Sequence, residues 1–333
     1  MRNKKLWSLL ILILLITSCK QSNNKTNTTS QIREISLRHE WFPSACYAGD
    51  IEAADLAKLE DDISIDINIG SEELDPIKMI ISGENNVGIS SLDRVIEANN
   101  KGANLIAIGV VNYISPTCFI TLKKNEFNKV QDFKKYKVGV FTGNNTEMIY
   151  ELLLKTKGIS RNDINEVEAS WDLNSFINDI YEIRPSFIYD ELVSLDIQNI
   201  EYNVLYPSDF GVDFIGPVYF TTRKIYDNNK PILKKYLKLT AKGWKNAIEN
   251  HKKSIKKLKV FSNDIDVTRE TKSLIKGSSY FLGENDIPLY VSDERIIKMG
   301  ENLVDLGILK EAKDIYNSID LSLLPNKTNI NEF

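Results

Sequence analysis

Sulfur and imidazole are scarce in this chain: its 333 residues include three cysteines and two histidines, His39 and His251. No close-spaced set of His, Cys and carboxylate follows, so neither a metal nor a cofactor is expected. Cys46 and Cys118 lie far apart in sequence, which leaves open one disulfide or two free buried thiols. One-sided charge is also missing. The formal net charge is −4 with acids and bases interspersed, which excludes the basic face that nucleic acid requires. The lysine-rich run at 252–259 is broken by Ile255 and Leu258 at helical spacing and reads as a solvated helix face. The apolar run at 9–16 is too short for an ordinary bilayer span of about 20 residues.

That run has a different meaning in its setting. Arg2, Lys4 and Lys5 precede it and Thr17-Ser18-Cys19 follow, the order of an export signal over residues 1–18. Ile16-Thr17-Ser18-Cys19 resembles a bacterial lipobox. The resemblance implies cleavage before Cys19, a diacylglycerol on its thiol and acylation of the new amine, each buried methylene contributing about 0.8 kcal/mol to anchoring. Residues 20–31 contain only Lys, Gln, Ser, Asn and Thr, which cannot bury surface, so 19–31 is expected to be a flexible lipid-anchored tether.

About 300 residues remain, room for two domains of ordinary size. Strand-like apolar runs alternate with amphipathic windows through the first 220 residues, which predicts α/β layers with largely parallel sheets. Strands are expected at 35–37, 87–89, 104–111, 118–122, 137–141, 167–169, 186–189 and 201–205, and at 218–222 after a Gly216-Pro217 breaker. A helix is read at 50–59. Asp75-Pro76 supplies an N-cap and a first-position proline for another, which Gly83 ends. Ser90 or Ser91 caps a helix that stops near Gly102, and Thr142-Gly143-Asn144-Asn145-Thr146 opens one that stops at Gly158. Beyond residue 230 the pattern is helical, at 231–250, 268–276 and 292–306. This order reads as two lobes crossed twice by the chain, with 32–117 and 220–333 forming lobe I and 118–219 lobe II. No internal repeat is evident.

Trp41-Phe42-Pro43-Ser44-Ala45-Cys46-Tyr47-Ala48-Gly49 resembles the opening motif of the thiamine-pyrimidine-precursor family of ABC transporter substrate-binding proteins. Further stretches match in the same order: Val87-Gly88-Ile89-Ser90-Ser91-Leu92-Asp93, Ser115-Pro116 with Phe119-Ile120, and Gly143-Asn144-Asn145-Thr146-Glu147. Tyr189-Asp190-Glu191, the 207–214 segment with Asp213, the Tyr219-Phe220-Thr221-Thr222 strand and Gly243-Trp244 complete the series. The match covers nearly all of the chain beyond the tether. It implies a two-lobed periplasmic-binding-protein fold of type II, with two parallel-rich sheets flanked by helices and two hinge crossings. Ligand would be gripped between the lobes and passed to an ABC permease and ATPase complex. The protein would be a monomer in the cell envelope, lipid-anchored on the outer face of the cytoplasmic membrane or in the periplasm.

The chemistry of individual residues runs beside this resemblance. Ligands in open α/β sheets sit beyond the carboxyl ends of strands. Ser90, Ser91, Asn144, Asn145 and Thr146 occupy such turns, as ligand contacts or as simple helix caps. Trp41, Tyr47 and Tyr189 offer faces to a planar heterocycle, or else serve the core. Glu191 complements the donor edge of an aminopyrimidine, or caps a surface helix. Ser44 and Asp213 join the candidate ligand-binding set through their motifs. Where the family's pyrimidine binders carry Asn and His, this chain has Ser44, Cys46 and Tyr47, so the hydrogen-bonding edge differs. The related eukaryotic pyrimidine synthases use a histidine at the position of Tyr47 and a cysteine-rich metal-binding run. Both are missing here, so pyrimidine synthesis is not expected.

Other ligands remain open: riboflavin, or an alkylsulfonate such as taurine, for which Arg184 is the only arginine near a candidate loop. A sensory or adhesive lipoprotein without a permease is a further alternative. Enzymatic function is not expected, since a nucleophile needs a base beside it and only His39 lies near a cleft motif.

Overall fold

The structure is a computed structural model that describes residues 32–324; the expected signal peptide, Cys19 and the tether lie outside the described residues. The chain begins with β1 (Glu34–Arg38), α1 (Ala48–Ala57), β2 (Ser64–Asn68), α2 (Pro76–Ser82), β3 (Val87–Ser91), α3 (Leu92–Asn100) and β4 (Leu105–Val110). It continues through β5 (Thr117–Leu122), β6 (Lys137–Val140), α4 (Asn145–Lys155), β7 (Asn165–Glu168), α5 (Leu173–Ile177), β8 (Arg184–Phe187), α6 (Glu191–Ile197) and β9 (Tyr202–Leu205). Then β10 (Pro217–Thr222) leads into α7 (Arg223–Asn228), α8 (Lys230–Glu249), α9 (His251–Lys257), α10 (Val267–Phe281) and α11 (Asp293–Asp305).

The first sheet has the order β2-β1-β3-β10-β4, and β5, β8 and β9 form a second with β5 in the middle. β6 and β7 pair in parallel and meet the end of β8 through a Val138–Ile183 bridge. β1 runs parallel to β2 and β3, whereas β10 is antiparallel to β3 and β4, and β5 to β8 and β9. The sheets are therefore mixed rather than parallel-rich as expected, because the strands that follow the two crossings between the sheets are reversed. Strands that end in crevice loops run toward the crevice, and strands that start from a crossing must run away from it.

The crossings lie side by side. The Val111 N–H donates to Pro217 O (2.7 Å), Gly216 N–H to Asn112 O (3.0 Å) and Ser115 N–H to Phe214 O (2.6 Å). Val212, Phe214 and Ile215 are buried there and join the core beneath α3 to that around Phe119 and Phe133, so the two bodies share apolar packing on the hinge side. A second core lies on the opposite face of the first sheet, under α1, α8 and α10.

Local signals account for the helix ends that matter. Asp75 Oδ1 accepts from the Ile77 N–H (3.0 Å), Pro76 opens α2, and Gly83 ends it with φ 81°. Asn144 Oδ1 accepts from the Thr146 N–H (3.1 Å) and caps α4. Helix α1 crosses α8 at glycine contact distance: a Cβ on Gly243 would stand 2.2 Å from the Gly49 carbonyl oxygen. Trp244, fully buried, donates from Nε1 to the Tyr219 hydroxyl (2.9 Å), and Tyr219 donates to Asp50 Oδ1 (2.6 Å). The other Asp50 oxygen lies 3.1 Å from His39 Nε2, so polar contacts run from α8 to the end of β1. Cys46 and Cys118 are free thiols, which settles the question left open by their spacing.

Candidate functional site

Between the two sheets lies a crevice of about 380 Å³, lined from both sides. That volume is within the usual range of small-molecule sites, roughly 300–1,000 Å³. The first body contributes the turns after β1 and β3, with Trp41, Ser44, Tyr47 and Ser91. The second contributes the turns after β6 and β8, with Asn144, Asn145, Tyr189 and Glu191. Strand ends thus converge as the α/β arrangement dictates.

Tyr47 is braced from below, its ring stacked on His39 at 3.9 Å and 10°, while its hydroxyl accepts from the Trp41 N–H (2.8 Å). His39 is fully buried under that ring and does not line the crevice. The Ala45 N–H donates to Glu270 Oε2 on α10 (2.7 Å), fixing the Ser44 turn. On the opposite wall the Tyr189 hydroxyl donates to Asn112 Oδ1 in the first crossing (2.9 Å). Burial pushes the Cys46 thiol up to about 11 and the phenols of Tyr47 and Tyr189 well above their ordinary value, so all three stay neutral.

At the mouth, Trp41 meets Trp171 at 5.5 Å and 49°. Trp171 stacks with its back on Phe141 (4.1 Å, 15°), which in turn lies over the Arg184 guanidinium (5.1 Å), yet it keeps 44 % of its surface exposed. Two rings that sandwich a planar ligand stand about 7 Å apart, twice an aromatic contact of about 3.5 Å. At 5.5 Å the two indoles must part before a flat ligand can lie between them.

The charge lining the crevice is mostly acidic: Glu40, Glu72, Asp190 and Glu191 against Arg94. Arg94 is engaged by Glu40 (3.6 Å) and Asp75 (3.3 Å). Glu40 accepts from the Ser90 hydroxyl (2.8 Å). Although 29 % of its side chain opens to the crevice, the protein crowded around it raises the carboxyl to about 7 by desolvation, which outweighs Ser90 and Arg94. Near neutral pH this carboxyl can donate or accept a hydrogen bond. Glu191 accepts from Arg184 (3.1 Å) at one oxygen and from the Phe187 N–H (2.8 Å) at the other. Arg184 is fully buried and also donates to Ser170 O and the Tyr181 hydroxyl, so it is not the free cation that a sulfonate would need.

Of the residues expected at the site, Trp41, Ser44, Tyr47, Ser91, Asn144, Asn145, Tyr189 and Glu191 line the crevice. Ser90, Thr146 and Asp213 do not. Ser90 points away from Ser91, as neighbours in a strand must, and supports Glu40 from behind. Thr146 is buried in the first turn of α4. Asp213 forms an ion pair with Arg295 of α11 at the second crossing. Glu40, Arg94, Asn112 and Trp171 are crevice residues that the motifs did not single out. Glu40 directly precedes Trp41 in the first motif and was within reach of a chemical reading; Trp171 sits in a loop without a periodic signal.

A two-sheet α/β body with a crevice crossed by two adjacent segments belongs to the periplasmic-binding-protein fold. Solved structures agree. The aliphatic sulphonate-binding protein SsuA from Escherichia coli superposes with a TM-score of 0.68 at 14 % identity, over 90 % of this chain and 96 % of that one. The alkanesulfonate-binding SsuA from Xanthomonas axonopodis pv. citri, bound to MOPS, gives 0.63 at 13 % identity, over 87 % and 99 %. The NMT1/THI5-like family model matches residues 59–254, more than half of the chain, and the chain belongs to that family. A formylaminopyrimidine-binding protein from Halalkalibacterium halodurans is 20 % identical over 254 residues, 75 % of this chain and 76 % of the relative. A putative thiamine biosynthesis protein from Haemophilus influenzae is 20 % identical over 182 residues, 54 % and 58 % respectively.

Proposed function

We propose that the chain is the solute-binding lipoprotein of an ABC importer and captures a small planar heteroaromatic ligand of the aminopyrimidine type. One observation carries the reading: a crevice with aromatic faces on both sides, in which carboxylates outnumber the single, already engaged arginine. Such a lining suits a neutral or cationic ring with amino donors, and it disfavours a sulfonate, which would meet Glu40, Glu72 and Asp190 without a free cation. The resemblance to a formylaminopyrimidine-binding protein points the same way.

In this reading 32–117 with 220–333 and 118–219 act as two lobes that open about the paired crossings. Cys19 carries the lipid, the protein works as a monomer outside the cytoplasmic membrane, and permease and ATPase take over the solute. A thermal-shift panel of a 4-aminopyrimidine, riboflavin and taurine tests the ligand class. The aminopyrimidine is expected to raise the melting temperature, since a ligand at 100 times its Kd adds about 2.7 kcal/mol to the folded state. Trp171→Ala is expected to weaken it by roughly tenfold, the loss of one stacking partner. Stabilisation by taurine or riboflavin alone would discard the pyrimidine reading.

A further inference from the structure

Beyond Arg94, Asn144 and Asn145, which line both spaces, lies a second hollow of about 300 Å³. Asp93 and Glu97 reach it from α3 of the first body, Glu147 and Glu151 from α4 of the second. Met148, Leu306 and Ile308 supply apolar wall. Two carboxylates from each side therefore border one gap.

The nearby cations are already engaged. The Arg94 guanidinium lies against Glu40 and Asp75. Arg161 is shared among Glu147, Glu151 and Glu166, and Lys155 is turned onto the Asp305 carbonyl. Asp93 stands apart: it is 1 % exposed, and neither of its oxygens has a partner in full hydrogen-bond geometry, the nearest donors being the Ser91 hydroxyl and its own amide. Desolvation raises its carboxyl to about 6, and its own amide, the Ser91 hydroxyl and Arg94 offset that only in part, so it carries charge at neutral pH at a cost. A buried acceptor without a full-geometry donor, in the lining of a hollow bordered by three further carboxylates and a single, already engaged arginine, leaves acceptor capacity for a further cation. Among the described residues no group of three or more His, Cys, Asp and Glu is placed to hold a metal ion. The wider spacing and the apolar wall suit a hydrogen-bonding organic cation instead.

We propose that this hollow binds an organic ammonium or guanidinium group, held by Asp93 and Glu97 from one body and by Glu147 and Glu151 from the other. A cation between the two pairs of carboxylates touches both bodies at once and favours the closed arrangement, so its binding is coupled to closure. The site stands apart from the choice of ligand for the main crevice, although the cation has two sources, a free amine or an amino arm on the captured solute.

The first test titrates the full-length chain with propylammonium chloride, reading the melting temperature and tryptophan fluorescence, with sodium chloride at equal ionic strength and 1-propanol as controls. A saturable rise with propylammonium alone is expected. Its midpoint is expected to move at least tenfold higher in Asp93→Asn and in Glu97→Gln, the latter deciding if the former fails to fold. No saturation in the wild type, or unchanged midpoints in the folded variants, overturns the proposal. A second arm compares two 4-aminopyrimidines, one with a 5-aminomethyl and one with a 5-hydroxymethyl group. A tenfold preference for the aminomethyl compound that vanishes in the Asp93 or Glu97 variant assigns the cation to the solute. Equal binding of the two, with propylammonium still saturating, assigns the hollow to a free amine. If neither pyrimidine binds while propylammonium saturates, the aminopyrimidine reading of the crevice fails and the cation site remains.

Discussion

Glu40 combines crevice exposure with a displaced titration, and the direction of that displacement fixes a pH dependence. In the unfolded chain its carboxyl releases its proton near 4.5, whereas the folded protein holds it to about 7. Between these values the native state binds the extra proton, so stability falls as pH rises from about 4.5 to 7. Glu40→Gln removes the buried charge and is expected to gain about 1–3 kcal/mol over the wild type at pH 8, with little difference at pH 4.5. Urea unfolding at both values measures it, and equal stabilities at pH 8 would show that Ser90 and Arg94 offset the desolvation in full. Part of the slope persists in the variant, because Asp93 titrates in the same direction, from 3.8 up to about 6. Glu191 behaves differently. Truncating it strips the fully buried Arg184 of its counter-ion, so Glu191→Ala tests folding as much as binding, and Glu191→Gln is the cleaner probe of the ligand edge.

At the scale of elements, the contact of α1 with α8 depends on two glycines. A Cβ on Gly243 would come within 2.2 Å of the Gly49 carbonyl and 2.7 Å of the Ala53 amide nitrogen. Both are helix backbone, which cannot swing aside. Alanine in mid-helix gains about 1 kcal/mol of propensity over glycine, but forcing two helices apart costs about 1–3 kcal/mol in overpacking and strains the Trp244–Tyr219–Asp50 hydrogen bonds as well. Gly243→Ala is therefore expected to lower stability by about 1–2 kcal/mol in urea unfolding; a gain would mean that the helices sit further apart. The Gly243-Trp244 pair was visible in the sequence as a motif, but its reason, a backbone-to-backbone crossing, was not.

The same division holds elsewhere. The Asp75-Pro76 start and Gly83 stop of α2, and the strand-to-helix turns at Ser91 and Asn144, are local chemistry and were readable. The strand β2 carries Ile65 and Ile67, with Ile63 just before it, at period two, a pattern that was there to be read yet was not among the expected strands. Trp171 meets Trp41 only through the approach of the two bodies, and Arg94 is set at the crevice by Glu40 and Asp75 from separate loops, neither of which a local pattern encodes. Asp213 fell outside the site because its partner, Arg295, comes from 82 residues further along the chain.

For the molecule as a whole, α10 ties the two bodies together. It packs with α8 and α9 in the first body's core, while Arg269 forms an ion pair with Asp190 at the crevice edge and Lys276 reaches Asp196 of α6 (2.7 Å). Its Glu270 also holds the Ser44 turn through the Ala45 amide, so one helix positions parts of both crevice walls. These ion pairs are partly exposed, and each contributes about 0–1 kcal/mol. That is small against global stability but comparable to the free energy between open and closed forms of a hinged binding protein. Apparent affinity scales with the fraction of molecules in the binding-competent form. Removing Arg269 is thus expected to weaken ligand binding about two- to fivefold, mostly through faster release, while the melting temperature stays nearly constant. Stopped-flow fluorescence of the Trp41–Trp171 pair reads the release rate directly, and scattering of the ligand-free variant is expected to show a larger radius of gyration. An unaltered release rate with an unaltered radius would mean that the Arg269 pair adds nothing to closure, and that the remaining contacts, among them the Tyr189–Asn112 hydrogen bond, the Lys276–Asp196 pair and the apolar packing at the crossings, suffice to hold the bodies together.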